Sequence, residues 1–234
     1  MRPARIRDFK MKRIVFCYLV IASLAVPAAF TSCGGGGISG SSYKIKMTTE
    51  QGGEFIFVLD GSGTATVDWG DGSEKNSLTL PASFQHTYPS ATIRTITVNG
   101  DNITGLRSVT GCNITSLDVS KNTELTSLDV GCWGGCITSL DLSKNTALTI
   151  LQCYGHPLTS LDLSKNTSLT YLCIGDNRLT GSMLNSLFTT LHSNSIPPLR
   201  EEGTPKFIYI NSRPQGDFDK SIAERKGWTF HVVS

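Results

Sequence analysis

The chain has 234 residues, 39% hydrophobic and 17% charged, which is ordinary for a globular protein and enough to bury a real core. Its formal net charge of +2 is unevenly placed: six of the 21 basic and one of the 19 acidic residues lie in residues 1–32, leaving 15 basic against 18 acidic, a net −3. A mildly acidic body gives no electrostatic case for nucleic acid or an anionic membrane surface as partner.

Arg2, Arg5, Arg7, Lys10, Lys12 and Arg13 precede an apolar run from Ile14 to Phe30, and Thr31 and Ser32 lead into Cys33. A basic start, a short apolar run and small residues after it predict a secretory signal. The run contains Pro27 and falls short of the roughly 20 residues a spanning helix needs. Phe30-Thr-Ser-Cys33 resembles a lipobox, with Phe30 where leucine is usual. The resemblance implies cleavage after residue 32, a lipid on Cys33 and a membrane as partner through that lipid. Gly34 to Gly37 and the Ile-Ser-Gly-Ser-Ser that follows cannot build a core, so residues 33–42 read as the acylated cysteine and a flexible tether. The tether carries no Asp or Glu, which leaves both placements of an outer-membrane lipoprotein open, cell-surface and periplasm-facing.

Residues 43–100 are strand-like throughout. Tyr43-Lys-Ile-Lys-Met alternates, Phe55-Ile-Phe-Val-Leu is a short apolar run, and Thr64-Ala-Thr-Val-Asp-Trp follows a Gly-Ser-Gly turn. Such spacing predicts a small all-β sandwich. In Val67-Asp-Trp-Gly-Asp-Gly, Gly70 and Gly72 suit a turn closed to other residues, and Asp68 and Asp71 suit clamping it through backbone amides. Two carboxylates fall short of the six to eight oxygens calcium takes, so a turn clamp is expected and a metal is not. With His86-Thr-Tyr and the strand Ile93-Arg-Thr-Ile-Thr-Val, this segment resembles the PKD family of sandwich modules.

Three copies follow: Ile114-Thr-Ser-Leu-Asp-Val-Ser-Lys-Asn-Thr, Ile137-Thr-Ser-Leu-Asp-Leu-Ser-Lys-Asn-Thr and Leu158-Thr-Ser-Leu-Asp-Leu-Ser-Lys-Asn-Thr, spaced by 23 and 21 residues. Self-similarity at that period predicts a solenoid. Each copy runs into a less uniform half, beginning at Leu125, Leu148 and Leu169, and the last continues to Asn177 and Leu179 in the pattern LxxLxLxxNxL. Residues 101–180 thus resemble bacterial, loosely internalin-like, leucine-rich-repeat proteins, closest to envelope lipoproteins with such repeats after a PKD-like module. The resemblance implies an α/β leucine-rich-repeat solenoid with a parallel concave sheet. Asn122, Asn145, Asn166 and Asn177 are the expected structural ladder.

The second half of each repeat is expected to form the concave strands. Alternate strand residues leave the core, which puts Ser127, Ile150 and Tyr171 in one exposed column, Asp129, Gln152 and Cys173 in the next, and Gly131, Tyr154 and Gly175 beyond, with Trp133 and His156 near the rim. These positions vary between copies while Thr-Ser-Leu-Asp hardly changes. Trp133, Asp129, Gln152, Tyr154, Ile150 and Tyr171 are therefore the candidate binding face, against drift on a solvated surface as the alternative.

Residues 181–234 read as a β-α cap over the last coil. Met183, Leu184, Leu187, Phe188 and Leu191 share a helical face, Phe207-Ile-Tyr-Ile is a strand, and a second helix runs from an Asp217 cap to Gly227 before a last strand from Trp228.

Cys132 and Cys136 bracket Trp-Gly-Gly in a two-residue insertion, where an oxidising envelope permits a small disulfide and free thiols are the alternative. No zinc spacing, HExxH, GxSxG or phosphate loop occurs. Asp118, Asp141 and Asp162 recur at repeat spacing, which stacks them about 5 Å apart as turn positions rather than as a glycosidase pair. The expectation is a non-catalytic envelope lipoprotein without cofactor, binding an unidentified protein or glycan. A periplasm-facing spacer or assembly component is the alternative, and a glycan hydrolase has no positive support.

Overall fold

The computed structural model describes residues 43–108, 113–194, 206–211 and 216–233. The expectations for the signal, Cys33, the tether and the Pro197-Pro198 loop lie outside them, as does Cys112.

Seven strands lead the described chain: β1 (Ile45–Thr49), β2 (Gly53–Gly61), β3 (Thr64–Asp68), β4 (Asn76–Thr79), β5 (Ala82–Tyr88), β6 (Arg94–Gly100) and β7 (Ile103–Ser108). Their period-two pattern buries one face: Ile45 and Met47, Phe55, Phe57 and Leu59, Ala65 and Val67, and Ile96 and Val98 are core residues. Trp69 is fully buried among them, 5.7 Å from the Phe57 ring in an edge contact. Burying each such large side chain contributes about 1.5–3 kcal/mol.

The repeats supply β8 (Ile114–Asp118), β9 (Ser127–Asp129), β10 (Ile150–Gln152) and β11 (Tyr171–Cys173), and the tail supplies α1 (Gly181–Thr190), β12 (Lys206–Asn211), α2 (Ser221–Glu224) and β13 (Trp228–Val233). One sheet runs β4-β3-β6-β1-β8 and the other β13-β12-β11-β10-β9-β7-β2-β5. Both sheets therefore cross the expected boundary at residue 100. β1 pairs antiparallel with β8, setting Met47 opposite Leu117, and β7 lies between antiparallel β2 and parallel β9, setting Leu106 opposite both Leu59 and Leu128. Ser41–Ser234 is one compact unit. The β-module is paired into the first coil because each of its sheets would otherwise end on an open edge.

Within the coils six positions per copy point inward and stack: Ile114, Ile137 and Leu158; Leu117, Leu140 and Leu161; Val119, Leu142 and Leu163; Leu125, Leu148 and Leu169; Leu128, Leu151 and Leu172; Val130, Cys153 and Ile174. Two polar ladders tie coil to coil. Asn145 donates from Nδ2 to the carbonyls of Val119 and Asn122, and Asn166 repeats this one coil later on Leu142 and Asn145. A threonine ladder, absent from the expectations, runs beside the strands: Thr126, Thr149 and Thr170 donate their hydroxyls to the carbonyls of Thr104, Thr126 and Thr149 at 2.9–3.1 Å.

The tail covers the last coil. Thr180 caps α1 by accepting the amide of Met183, and Leu184, Leu187 and Phe188 face inward. Met183 is exposed rather than part of that face. The helix carbonyls left open at its end are closed by Lys226, whose Nζ donates to Phe188, Thr189 and Leu191. α2 starts later than expected, because Asp219 rather than Asp217 accepts the Ser221 amide, and it ends at Glu224, earlier than expected, with a turn running on to Gly227 at φ +79°. β12 and β13 extend the parallel sheet beyond β11.

Candidate functional site

The parallel sheet fixes which residues share a row. Gly105, Ser127, Ile150, Tyr171, Phe207 and Thr229 stand in register across six strands, and so do Arg107, Asp129, Gln152, Cys173, Tyr209 and His231. Beyond them, the amide of Cys132 donates to the Tyr154 carbonyl, and that of Gly155 to the Gly175 carbonyl, continuing the ladder. The second half of each repeat thus carries the strands. In the first half only Ile114–Asp118 is a strand, since only that copy has β1 to pair with.

These rows are not open surface, as the exposed columns were expected to be. Gln152 is 2% exposed, Asp129 9% and Tyr171 2%, while Ser127, Ile150, Trp133 and Tyr154 are half-buried. Side chains on strands about 4.8 Å apart cover one another. Gln152 donates from Nε2 to Asp129 Oδ2 at 3.0 Å, and Asp129 Oδ1 accepts the amide of Gly131 at 3.2 Å. The Tyr171 ring stacks on that of Tyr209 at 5.0 Å, and Tyr209 stacks on His231 at 4.9 Å. Trp133 meets Tyr154 edge-on with ring centroids 6.1 Å apart. Gly131 makes room for this, since a Cβ there would lie 2.2 Å from the Tyr154 ring.

Burial raises the Asp129 carboxyl to about 7, against the opposing pull of the Gly131 amide and the Arg107 charge. Burial likewise lifts the Cys153 thiol to about 12, leaving it a protonated small hydrophobe in the leucine core. The structure does not join Cys132 to Cys136 through a disulfide. Backbone bonds hold the insertion instead, from Cys132 to Tyr154 and from Gly135 to Gly155.

His156 is a buried coil-to-coil bridge rather than a rim residue. Its Nδ1 accepts the amide of Ile137 at 3.4 Å and its Nε2 donates to the carbonyl of Val130 at 2.7 Å. Asn177 occupies the same place one coil later, donating to the carbonyls of Cys153 and Ile174. It therefore stands apart from the ladder that includes Asn122, Asn145 and Asn166.

In the β-module, Gly70 has φ +74° and a Cβ there would meet the Thr95 carbonyl oxygen at 2.2 Å; Gly72 has φ +83°. Asp68 accepts the Gly70 amide at 3.0 Å and pairs with Lys75 at 3.1 Å, and both hold its carboxyl below the usual range. Asp71 accepts the Ser73 hydroxyl and amide and lies 2.7 Å from His86 Nε2. The Ser73 hydroxyl first, and His86 next, hold its carboxyl low. The His86 ring stacks on Trp69 at 4.9 Å, and Tyr88 donates its hydroxyl to the Trp69 carbonyl at 2.8 Å. These contacts make a clamp joining turn and strand. Asp118, Asp141 and Asp162 each accept the amide two residues on, from Ser120, Ser143 and Ser164, as turn residues do.

Parallel strands in register, stacked leucine columns and an asparagine ladder define a strand-rich, leucine-rich-repeat-like fold. No protein-family model matches the chain, and no curated protein does. Among solved structures the chain is similar to the functional domain of InlJ from Listeria monocytogenes, described as including a cysteine ladder. The two are 31% identical over 51% of this chain and 27% of that one, with a TM-score of 0.33. It is also similar to the internalin InlF of Listeria monocytogenes, at 16% identity over 56% of this chain and 43% of that one, with a TM-score of 0.38. The chain thus spans less than half the length of either.

Proposed function

We propose that the chain is an exported outer-membrane lipoprotein, anchored through a lipid on Cys33. Its PKD-like module and capped leucine-rich-repeat solenoid present the varied strand face to a protein or glycan, without catalysis. The observation that carries this reading is the contrast between two sides of the same coils. Asp118, Asp141 and Asp162 repeat one turn contact without change, whereas the rows in register at β9, β10 and β11 read Ser127, Ile150, Tyr171 and Asp129, Gln152, Cys173. A side kept uniform suits structure, and a side that differs at every rung suits a ligand.

Fractionation and surface proteolysis of whole cells, comparing the native chain with Cys33→Ala, test the anchor. The variant is expected to leave the membrane fraction, and its retention there overturns the anchor. Binding of the purified chain to host proteins, glycans and envelope extract tests the face. Binding is expected to fall when Trp133, Tyr154 and Tyr171 are changed to alanine, and undiminished binding overturns the patch.

A further inference from the structure

We infer that the site on the varied face is a subsite for a neutral, pyranose-type glycan, centred on Gln152, Trp133 and Tyr154; this rests on the reading of that face as a binding face. Gln152 leaves its strand on the side opposite Leu151 and Cys153, which are core residues. Its amide is held like a fork. Nε2 is committed to Asp129 Oδ2, itself fixed because the same carboxyl takes the Gly131 amide, and Oε1 is buried without a hydrogen-bond partner. The indole Nε1 of Trp133 is also buried without a partner. A buried acceptor and a buried donor left unmade cost about 1–3 kcal/mol each, so a ligand that satisfies both gains from groups already desolvated.

A sugar hydroxyl donates and accepts through one atom, so neighbouring hydroxyls suit an acceptor and a donor together. Tyr154 lies in the turn two residues after Gln152, just past the end of β10, over the space Gly131 leaves, with Trp133 edge-on to it. Half-buried aromatic rings beside fixed polar groups take the C–H face of a pyranose. Arg107 and Asp129 are cross-strand neighbours in one row, so an anion drawn by the guanidinium would face the carboxyl group beside it. An extended peptide fits less well. The backbone ladder beneath the patch is consumed, from Val130 to Gln152, Cys132 to Tyr154, Cys153 to Cys173 and Gly155 to Gly175, leaving no strand edge to join.

The test is titration of the full chain with neutral hexasaccharides of glucose, mannose, galactose and N-acetylglucosamine, and separately with a mixture of uncharged hexapeptides, by calorimetry and tryptophan fluorescence. At least one saccharide is expected to bind, with roughly a tenfold loss on Trp133→Phe, which keeps a ring but removes the indole donor. Gln152→Leu is expected to lose as much, Tyr154→Ala more, and Ser139→Ala on the uniform side nothing. Melting curves identify any variant that fails to fold, and Trp133→Phe, with its small change of shape, keeps the test decisive. Saccharide binding unaltered by Trp133→Phe and Tyr154→Ala overturns the site. Peptide binding lost on Tyr154→Ala, with no saccharide bound, overturns the glycan while sparing the binding face. No binding to either, in a chain that is folded, overturns the subsite, and a negative result with host proteins and envelope extract as well then removes the face.

Discussion

The Nε2 of His156 lies 2.7 Å from the carbonyl oxygen of Val130, one coil back, and the other ring nitrogen accepts a backbone amide. Only the neutral ring can do both. Burial holds the imidazole below its ordinary value, opposed by the Val130 bond. The unfolded chain then binds more protons than the folded one as pH falls below about 6.5, so this contribution to stability is full above that pH and declines beneath it. His156→Asn imitates Asn177, which makes the equivalent bridge to Cys153. Melting temperatures from pH 7.5 down to 5 should fall less steeply in that variant. Some slope should persist, because burial also holds His192 low. An unchanged slope in His156→Asn would show that the ring does not titrate with folding.

The asparagine ladder is asymmetric, and its rungs should differ in cost. Asn145 supplies two buried carbonyls, whereas Nδ2 of Asn122, on the first rung, is buried without a partner. Asn145→Ala leaves two acceptors unsatisfied and is expected to cost about 2–4 kcal/mol. Asn122→Ala abandons no such pair through Nδ2 and should cost about 1 kcal/mol or less. Urea midpoints of the two variants, at equal slope, measure the difference. Equal losses would refute the assignment of the first rung.

Continuity of both sheets through residue 100 predicts one unfolding transition rather than two. Leu59 in the β-module and Leu151 in the coils are both fully buried, in strands of the same sheet. Alanine at either should cost about 2–5 kcal/mol and shift the whole transition, seen by circular dichroism and by tryptophan fluorescence alike. A chain lacking residues 43–100 loses β2 from one side of β7 and β1 from beside β8, and is expected not to fold. A folded truncated chain, or two resolved transitions, would show that the two segments fold separately.

The parts of the fold visible in the sequence are those set by local period. Leu125, Leu148 and Leu169 repeat within short spacings, and alternation from them gave the rows that the strands display in register. Pairings between distant segments carry no such mark. Nothing near Met47 points to Leu117, and nothing near Thr126 shows that its hydroxyl closes on the Thr104 carbonyl a coil away. Counting outward along the strand puts His156 near the rim, whereas its partners are backbone groups whose position depends on the stacking of coils. Exposure depends on the same stacking. Alternation gives the side of a strand, but Gln152 and Asp129 cover each other only once β9 and β10 lie side by side.

Asp129 sets the opposite limit on pH. Its carboxyl is raised by burial to about 7, so the folded chain holds a proton that the unfolded chain has already lost. That contribution is full below the unfolded value near 3.9 and fades as pH rises through about 7. His156 thus costs stability as pH falls below about 6.5 and Asp129 costs it as pH rises from about 3.9 to about 7, so the two slopes oppose each other in the acid range and Asp129 alone acts between about 6.5 and 7. Asp129→Asn keeps an acceptor for the Gly131 amide and cannot ionise. Its stability relative to the native chain should therefore be greater at pH 8.5 than at pH 5, by on the order of 1–3 kcal/mol. Chemical denaturation at the two pH values measures this. A variant relatively less stable at pH 8.5 than at pH 5 would mean that ionised Asp129 is held by Arg107 more strongly than burial disfavours it.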